Sequence, residues 1–161
     1  MAVKTGQSAP GFTLYDSEKN KVSIENFRGR NVVLLFFPQS FTGTCTTELC
    51  AVRDDISAYH KLDAEVLAIS VDSLFTHAKY KEVYNLNFRL LSDFNKEVSA
   101  AYGTLYDEFA FGMKGVSKRS AFAVDKEGII RYAEVLEKAT DVPSLDAVKK
   151  TLTQLQEEKV S

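Results

Sequence analysis

Two short, nearly continuous apolar runs are the strongest pattern in the chain. They occupy residues 32–37 (VVLLFF) and 66–71 (VLAISV). Runs of this length, rich in β-branched and aromatic residues, are typical of strands that are buried on both faces. Strand, helix and strand in this order predict a βαβ unit with a right-handed crossover. The helix is expected over residues 45–62, where apolar side chains recur at spacings of three and four: Leu49, Val52, Ile56 and Tyr59.

The rest of the chain predicts a mixed sheet with helices on both faces, parallel at its start and antiparallel at its end. This order of elements fits a thioredoxin-like α/β fold in one domain over residues 1–161. Three further helices are expected at residues 74–84, 96–102 and 143–158. Gly103 is placed to end the second of them. Strands are expected at residues 87–91, 120–124 and 129–135, with a hairpin turn at 125–128 and a small extra hairpin at 12–14 and 22–24.

Length and charge exclude several classes of protein. The chain has 161 residues, and 20 Lys and Arg against 22 Asp and Glu give a net charge of −2. A chain of this length buries about two-thirds of its unfolded surface, so its core needs no disulfide or metal. The balanced charge argues against nucleic acid as a partner. No apolar run approaches the roughly 20 residues that cross a membrane, and no signal peptide is evident, so we expect a soluble, cytoplasmic protein.

Cys45 is the first candidate for chemistry. The segment 38–45 (PQSFTGTC) runs from the end of a predicted buried strand to the start of a predicted helix. In open α/β sheets, functional sites gather at the carboxyl ends of strands. A cysteine in a first helical turn lies near unpaired N–H groups and the positive end of the helix dipole, which should lower its pKa below about 8.5. The same position also suits a small buried residue in a tight turn.

Cys50 lies five residues further along the same predicted helix. In an intact helix the two Cα atoms would be about 8.7 Å apart, whereas disulfide geometry allows at most about 7 Å. The two sulfur atoms can therefore bond only after the first turns unwind. This arrangement suits a redox switch better than a permanent structural disulfide. The alternative is that Cys50 simply packs in the core.

Arg119 immediately precedes the predicted strand at residues 120–124. A guanidinium can hold an anion or oxygen atoms while it stabilises a thiolate, although an arginine at a strand end is commonly a solvated surface residue. Other chemistries lack support. The two cysteines with His60 and His77 do not form a recognisable metal-ligand pattern, neither histidine has an evident cysteine-hydrolase role, and there is no phosphate-binding glycine motif. No metal or cofactor is expected.

The chain resembles the peroxiredoxins. Pro38, Thr42 and Cys45 match the family's P-x-x-x-T-x-x-C motif, and Arg119 matches its distant active-site arginine. The similarity extends over nearly the whole chain. Further stretches that carry it are residues 9–14 (APGFTL), 36–38 (FFP) and 120–128 (SAFAVDKEG).

The resemblance implies reduction of hydrogen peroxide and organic hydroperoxides. The Cys45 thiolate would attack the peroxide and become a sulfenic acid. The Thr42 hydroxyl, Arg119 and the backbone N–H groups of Thr44 and Cys45 would donate hydrogen bonds to the reacting atoms. Pro38 would shield the sulfur. Glu48 would either orient arginine side chains or face solvent.

Two branches of the family are similar to this chain. Residues 45–50 (CTTELC) resemble the bacterioferritin-comigratory, or Prx Q, branch, in which the second cysteine resolves the first. Residues 41–43 (FTG) resemble the alkyl hydroperoxide reductase E branch, many of whose members lack that cysteine. With only two cysteines in the sequence, the typical two-cysteine type with intersubunit disulfides is not expected.

The resemblance to the first branch implies an intramolecular Cys45–Cys50 disulfide. A thioredoxin- or glutaredoxin-like protein would reduce it, and the chain would be a monomer or a homodimer. Three alternatives stay open: a one-cysteine peroxidase in which Cys50 does not resolve, a non-enzymatic redox sensor that uses the same disulfide switch, and a structural interaction domain.

Overall fold

The computed structural model describes residues 2–160, and their strands form one seven-stranded sheet. Numbered β1 to β7 along the chain, the strands are Thr13–Asp16, Lys21–Ser23, Asn31–Phe36, Ala64–Ser70, Arg89–Ser92, Ser120–Val124 and Ile130–Val135. Their spatial order is β2-β1-β5-β4-β3-β6-β7. The predicted mixed sheet is confirmed. Its parallel part is the central β5-β4-β3, and the chain's first two strands pair antiparallel at one edge, as the small hairpin expected at residues 12–14 and 22–24 predicts.

Of the five α-helices in the described residues, four connect strands and the fifth follows β7. Numbered α1 to α5, they are Gly43–Asp54, Ile56–Lys61, Leu74–Tyr84, Glu97–Ala101 and Leu145–Val160. Helix α3 has the predicted bounds, and Gly103 follows α4 with a φ of 69°, as expected of a residue that ends a helix in the left-handed conformation. Short 3₁₀ turns lie at Ile24–Phe27 and Ala110–Gly112.

The single helix predicted over residues 45–62 is wrong, because the structure divides this region into α1 and α2. Helix α1 begins two residues earlier, at Gly43, after the extended backbone of Thr42 (φ −95°, ψ 152°). It ends at Asp54, because Asp55 leaves the helical conformation (φ −115°, ψ 15°). The apolar face that suggested one helix continues across this break, since Leu49, Val52 and Tyr59 are all buried in the same core.

The sheet separates two apolar cores, which explains the unbroken apolar run of β3. Its side chains alternate between the two faces of the sheet. Val33 and Leu35 belong to the core under α1, α2, α3 and α5, and Val32, Leu34 and Phe36 belong to the core beneath α4 and the N-terminal segment. Helices on both faces therefore hold β3 rigidly, and β3 leads directly into the segment that precedes Cys45.

Truncation of one α5 side chain tests this packing. Leu152 is fully buried on the first core, whereas Gln154, two residues further along α5, is exposed. We expect Leu152→Ala to lower the free energy of unfolding by about 2–5 kcal/mol, because it removes buried methyl groups and leaves a cavity. Urea unfolding of the reduced protein, followed by circular dichroism, measures this change. Gln154→Ala is the matched control, and equal unfolding midpoints for the two variants would contradict the packing described.

Candidate active site

Three strand ends meet at one edge of the sheet. β3 runs parallel to β4 with Phe36 opposite Ile69, and antiparallel to β6 with Phe36 opposite Ser120. The carboxyl ends of β3 and β4 therefore lie beside the start of β6. This geometry brings together the 37–42 segment after β3, Asp72 just after β4 and Arg119 just before β6.

The segment between β3 and α1 is a compact loop. Pro38 is buried at its start, and its backbone nitrogen carries no proton to donate. The Ser40 N–H group donates to Oδ2 of Asp72 at 2.8 Å. Phe41 takes a left-handed conformation (φ 66°), and Thr42 then caps α1. The loop is thus fixed by its own turn and by a carboxylate from the neighbouring strand end.

The Thr42 hydroxyl does not make the donation expected of it. Its Oγ1 donates to the Gln39 carbonyl at 2.8 Å, closing the turn at residues 39–42. A hydroxyl group has one proton to donate, so in this conformation that proton does not go to the Cys45 sulfur. Thr42 holds the loop here, and its hydroxyl oxygen keeps lone pairs that can accept hydrogen bonds.

Cys45 is the third residue of α1, and its side chain is fully buried. The first N–H group paired within the helix is that of Thr46, which donates to the Thr42 carbonyl at 3.0 Å. The N–H groups of Gly43, Thr44 and Cys45 therefore belong to the open first turn, whose donors and dipole favour negative charge. The buried sulfur therefore lies at the open N-terminal turn of α1.

Arg119 is 1 % exposed, which rules out the alternative of a solvated surface arginine. Its Nη1 lies 3.2 Å from the Cys45 sulfur and 3.0 Å from Oε1 of Glu48. Its Nε and Nη2 both donate to the Ala139 carbonyl, at 3.2 and 2.9 Å. The guanidinium is thus held from one side by a backbone oxygen while it faces the sulfur and a carboxylate on the other.

Glu48 is also buried, which rules out the solvent-facing alternative. Burial raises the pKa of its carboxyl group to about 7, and the attraction of Arg119 only partly opposes that effect. Its second oxygen, Oε2, is enclosed and has no hydrogen-bond partner among residues 2–160. The site therefore contains a carboxyl group whose charge changes near neutral pH, one helical turn from Cys45.

Cys50 lies on the same helix, half-buried against the edge of the first core. Both cysteines are free thiols. Because α1 is continuous from Gly43 to Asp54, the helical separation of the two Cα atoms derived from the sequence applies to this structure. The structure therefore brings Arg119 and Glu48 to Cys45, and it keeps Cys50 apart from that contact.

The two histidines lie in different environments. His60 is exposed on α2, whereas His77 is fully buried on α3. Within the described part of the chain, no group of three or more His, Cys, Asp or Glu side chains is arranged to hold a metal ion. The same residues contain no helix long and apolar enough to span a lipid bilayer.

Sequence reasoning missed Asp72 and Ala139. Ala139 contributes only a backbone carbonyl, for which the sequence carries no signal. Asp72 follows the predicted strand at 66–71 immediately, and its position at the carboxyl end of a buried strand was a usable signal. It went unused because the sequence alone does not show which loop such a carboxylate contacts.

The fold and site define a thioredoxin-like α/β protein with a buried cysteine held against a guanidinium. The chain belongs to the AhpC/TSA family, whose model matches residues 5–133. It is 41 % identical over 132 residues to a putative peroxiredoxin bcp of Coxiella burnetii, covering 81 % of this chain and 87 % of that protein. It is 40 % identical over 136 residues to alkyl hydroperoxide reductase E of Mycobacterium tuberculosis, covering 83 % and 86 %.

Solved structures agree with this assignment. The crystal structure of peroxidoxin BcpB from Mycobacterium tuberculosis superposes with a TM-score of 0.81 at 28 % identity, covering 96 % of this chain and 97 % of that one. The reduced 2-Cys peroxiredoxin of Plasmodium vivax superposes with a TM-score of 0.87, also at 28 % identity, covering 98 % and 84 %. The identification of the chain as a peroxiredoxin from its motif is therefore confirmed, and so is the thioredoxin-like fold.

The buried carboxyl group predicts a dependence of stability on pH. The pKa of Glu48 rises from 4.5 to about 7 on folding, so the folded state favours the protonated form. The part of the free energy of unfolding that comes from this preference is fully present below pH 4.5, and it is lost as the pH rises through about 7. We expect the loss to approach about 3 kcal/mol relative to Glu48→Gln, which cannot ionise.

Urea unfolding of both proteins at a series of pH values between 4 and 8 measures that difference. Glu82→Gln, on the exposed face of α3, is the matched control. Parallel stability curves for the wild type and Glu48→Gln would contradict the raised pKa.

Proposed function

We propose that this chain is a thiol-dependent peroxidase that reduces hydrogen peroxide and organic hydroperoxides with Cys45 as the reacting thiol. The single observation that carries the proposal is the contact of 3.2 Å between Nη1 of the buried Arg119 and the Cys45 sulfur. A buried guanidinium that is fixed by Ala139 stabilises a thiolate and offers N–H groups to oxygen atoms. The family assignment supports the same chemistry.

In the first step the Cys45 thiolate attacks the terminal oxygen of the hydroperoxide. The S–O bond forms as the O–O bond breaks, and the thiolate, the hydroperoxide and one proton give a sulfenic acid and an alcohol, or water when the substrate is hydrogen peroxide. Arg119 and the open N–H groups of the first turn of α1 face the charge that moves onto the leaving oxygen. We assign to Pro38 the shielding of the sulfur, and Thr42 sets the turn that leads into α1.

In the second step Cys50 attacks the sulfenic sulfur. A disulfide and one water molecule form, and the first turns of α1 must unwind to bring the sulfur atoms together. Beyond the helix ladder, Arg119 holds those turns through Cys45 and Glu48, and two threonines add further bonds. Thr46 bonds the Thr42 carbonyl and the Tyr80 hydroxyl, and Thr47 bonds the Gly43 carbonyl. Loss of the negative charge on Cys45 after oxidation also weakens its contact with Arg119, so oxidation itself favours the unwinding.

The catalytic cycle closes by thiol–disulfide exchange with a protein reductant of the thioredoxin or glutaredoxin type. This exchange needs only an exposed Cys45–Cys50 disulfide, which unwinding of α1 would provide. We place the protein in the cytoplasm, as one domain that acts as a monomer or a homodimer. The nearly equal identities to the bcp and alkyl hydroperoxide reductase E relatives make Cys50 the feature that decides between two branches.

Replacement of the reacting thiol is the first test. We expect Cys45→Ser to abolish peroxide consumption, because a serine hydroxyl at this position offers no comparable nucleophile. Consumption of hydrogen peroxide in the presence of dithiothreitol, after subtraction of the protein-free rate, measures this. Cys50→Ser serves as the control that keeps one cysteine. Peroxide consumption by Cys45→Ser at the wild-type rate would contradict the proposed role.

Replacement of Cys50 tests how the sulfenic acid is resolved. We expect Cys50→Ser to complete one turnover with hydrogen peroxide and then to fail in cycling with thioredoxin. Mass spectrometry after one equivalent of peroxide would find an internal disulfide in the wild type and a sulfenic acid in the variant. Wild-type steady-state turnover with thioredoxin in Cys50→Ser would show resolution by another thiol, and a disulfide between chains would contradict the internal one.

A further inference from the structure

A second buried polar cluster lies beside the active-site loop and has no part in the chemistry proposed above. It consists of Ser70 at the end of β4, Asp72 just after it and His77 on α3. The Ser70 and His77 side chains are fully buried, and 17 % of the Asp72 side chain is exposed. Oδ2 of Asp72 accepts the Ser40 N–H at 2.8 Å and the Ser70 hydroxyl at 2.6 Å. One carboxylate oxygen therefore joins the cluster to the loop that precedes Cys45.

The directions of these hydrogen bonds follow from the number of protons available. Because Ser70 donates its only hydroxyl proton to Asp72, its oxygen must accept from Nε2 of His77, 2.7 Å away. The same oxygen also accepts the N–H of Asp72 at 3.2 Å. His77 therefore carries its proton on Nε2, and Nδ1 is an enclosed acceptor without a partner in the described residues. Burial lowers the pKa of His77 to about 4, which keeps the ring neutral at pH 7.

This order of donors excludes a hydrolytic role for the three residues. In a Ser-His-Asp triad the serine donates to histidine and the histidine donates to aspartate. Here the histidine donates to the serine and the serine donates to the aspartate, and Ser70 is enclosed. The chain of donors ends on the carboxylate, whose remaining function is to hold the Ser40 N–H. The cluster therefore fixes the position of a backbone group.

The loop transmits this constraint to the helix that carries Cys45. Ser40 is two residues before Thr42, and the Thr42 carbonyl accepts both the N–H and the hydroxyl of Thr46, at 3.0 and 2.8 Å. Unwinding of the first turn of α1 must displace Thr42 and therefore strains the anchored loop. A loop released from Asp72 would follow the unwinding turn more easily.

We propose that Asp72, oriented by Ser70 and His77, is a positioning residue that holds the 38–42 loop and thereby sets the equilibrium between the intact and the unwound first turn of α1. This inference rests on the proposed function, in which the intact turn reacts with peroxide and the unwound turn forms the disulfide. It assigns to the β4–α3 junction an influence on both steps, although none of its side chains contacts the reacting sulfur in the described contacts.

Hydrogen exchange of the reduced protein tests the structural half of the inference without any peroxide. We expect Asp72→Ala to speed amide exchange across residues 40–47 about tenfold, the scale of a lost hydrogen bond to a charged acceptor. Asp72→Asn keeps an acceptor oxygen without the charge. Its exchange rate across these residues should lie between those of the wild type and Asp72→Ala. The matched control is Asp125→Ala, since Asp125 accepts two loop N–H groups at the opposite end of β6.

Unchanged exchange at residues 40–47 in Asp72→Ala, or an equal increase in those residues in Asp125→Ala, would overturn the inference. Thermal unfolding of each variant, followed by circular dichroism, verifies that the compared proteins are folded. Should Asp72→Ala not fold, the same comparison is made with Ser70→Ala, which removes the donor to Asp72 and changes little volume.

Single-turnover kinetics test the functional half. The chain contains no Trp, so acid quenching followed by mass analysis measures the two steps. We expect Asp72→Ala to form the sulfenic acid more slowly and to convert it to the Cys45–Cys50 disulfide faster, because the two steps need opposite states of the turn. A parallel fall in both rate constants would mean general destabilisation and would overturn the inference.

The proposed function and this inference fail in different ways. A wild-type protein that forms neither a sulfenic acid nor a disulfide with hydrogen peroxide would refute the proposed function. A wild type that completes both steps, with rate constants unchanged in Asp72→Ala, would refute only the role of Asp72.

Discussion

The organisation of this site depends on one buried guanidinium. Arg119 is enclosed in the protein and has to satisfy the Cys45 sulfur, the Glu48 carboxyl group and a backbone carbonyl at once. Isolated charges are costly to bury, so each of these groups depends on the others. A thiolate at Cys45 and a carboxylate at Glu48 would place two negative charges against one positive charge. The raised pKa of Glu48 relieves that excess by favouring its neutral form.

The sheet topology explains how residues so distant in sequence come together. Arg119 and Cys45 are 74 positions apart, but the antiparallel pairing of β6 with β3 starts one strand where the other ends. The parallel pairing of β3 with β4 brings the β4–α3 junction to the same edge. Both cores pack against β3, so the strand that carries the loop has little freedom to move. The loop that leads to Cys45 is thus attached to a rigid strand.

The sequence predicted the buried strands well from their unbroken apolar runs, and the closing helix from apolar side chains that share one face. Tertiary structure did not override these patterns. The break at Asp55 was not predictable, because the apolar face continues through it. Burial of Arg119 and Glu48 was equally hidden, since a charged residue is enclosed only when a partner from another part of the chain meets it. The direction of the Thr42 hydroxyl depended on a loop turn that no motif encodes.

The break between α1 and α2 has a consequence for how far local unfolding can spread. Lys149 of α5 bonds the Asp55 side chain at the break, and Tyr59 of α2 remains buried in the first core. Melting of α1 therefore meets a boundary after twelve residues, beyond which the backbone is separately anchored. The cooperative unit is a short helix rather than the whole crossover. Under the proposed mechanism, the molecule can thus open and reclose around its sulfur atoms while Tyr59 of α2 stays packed in the first core.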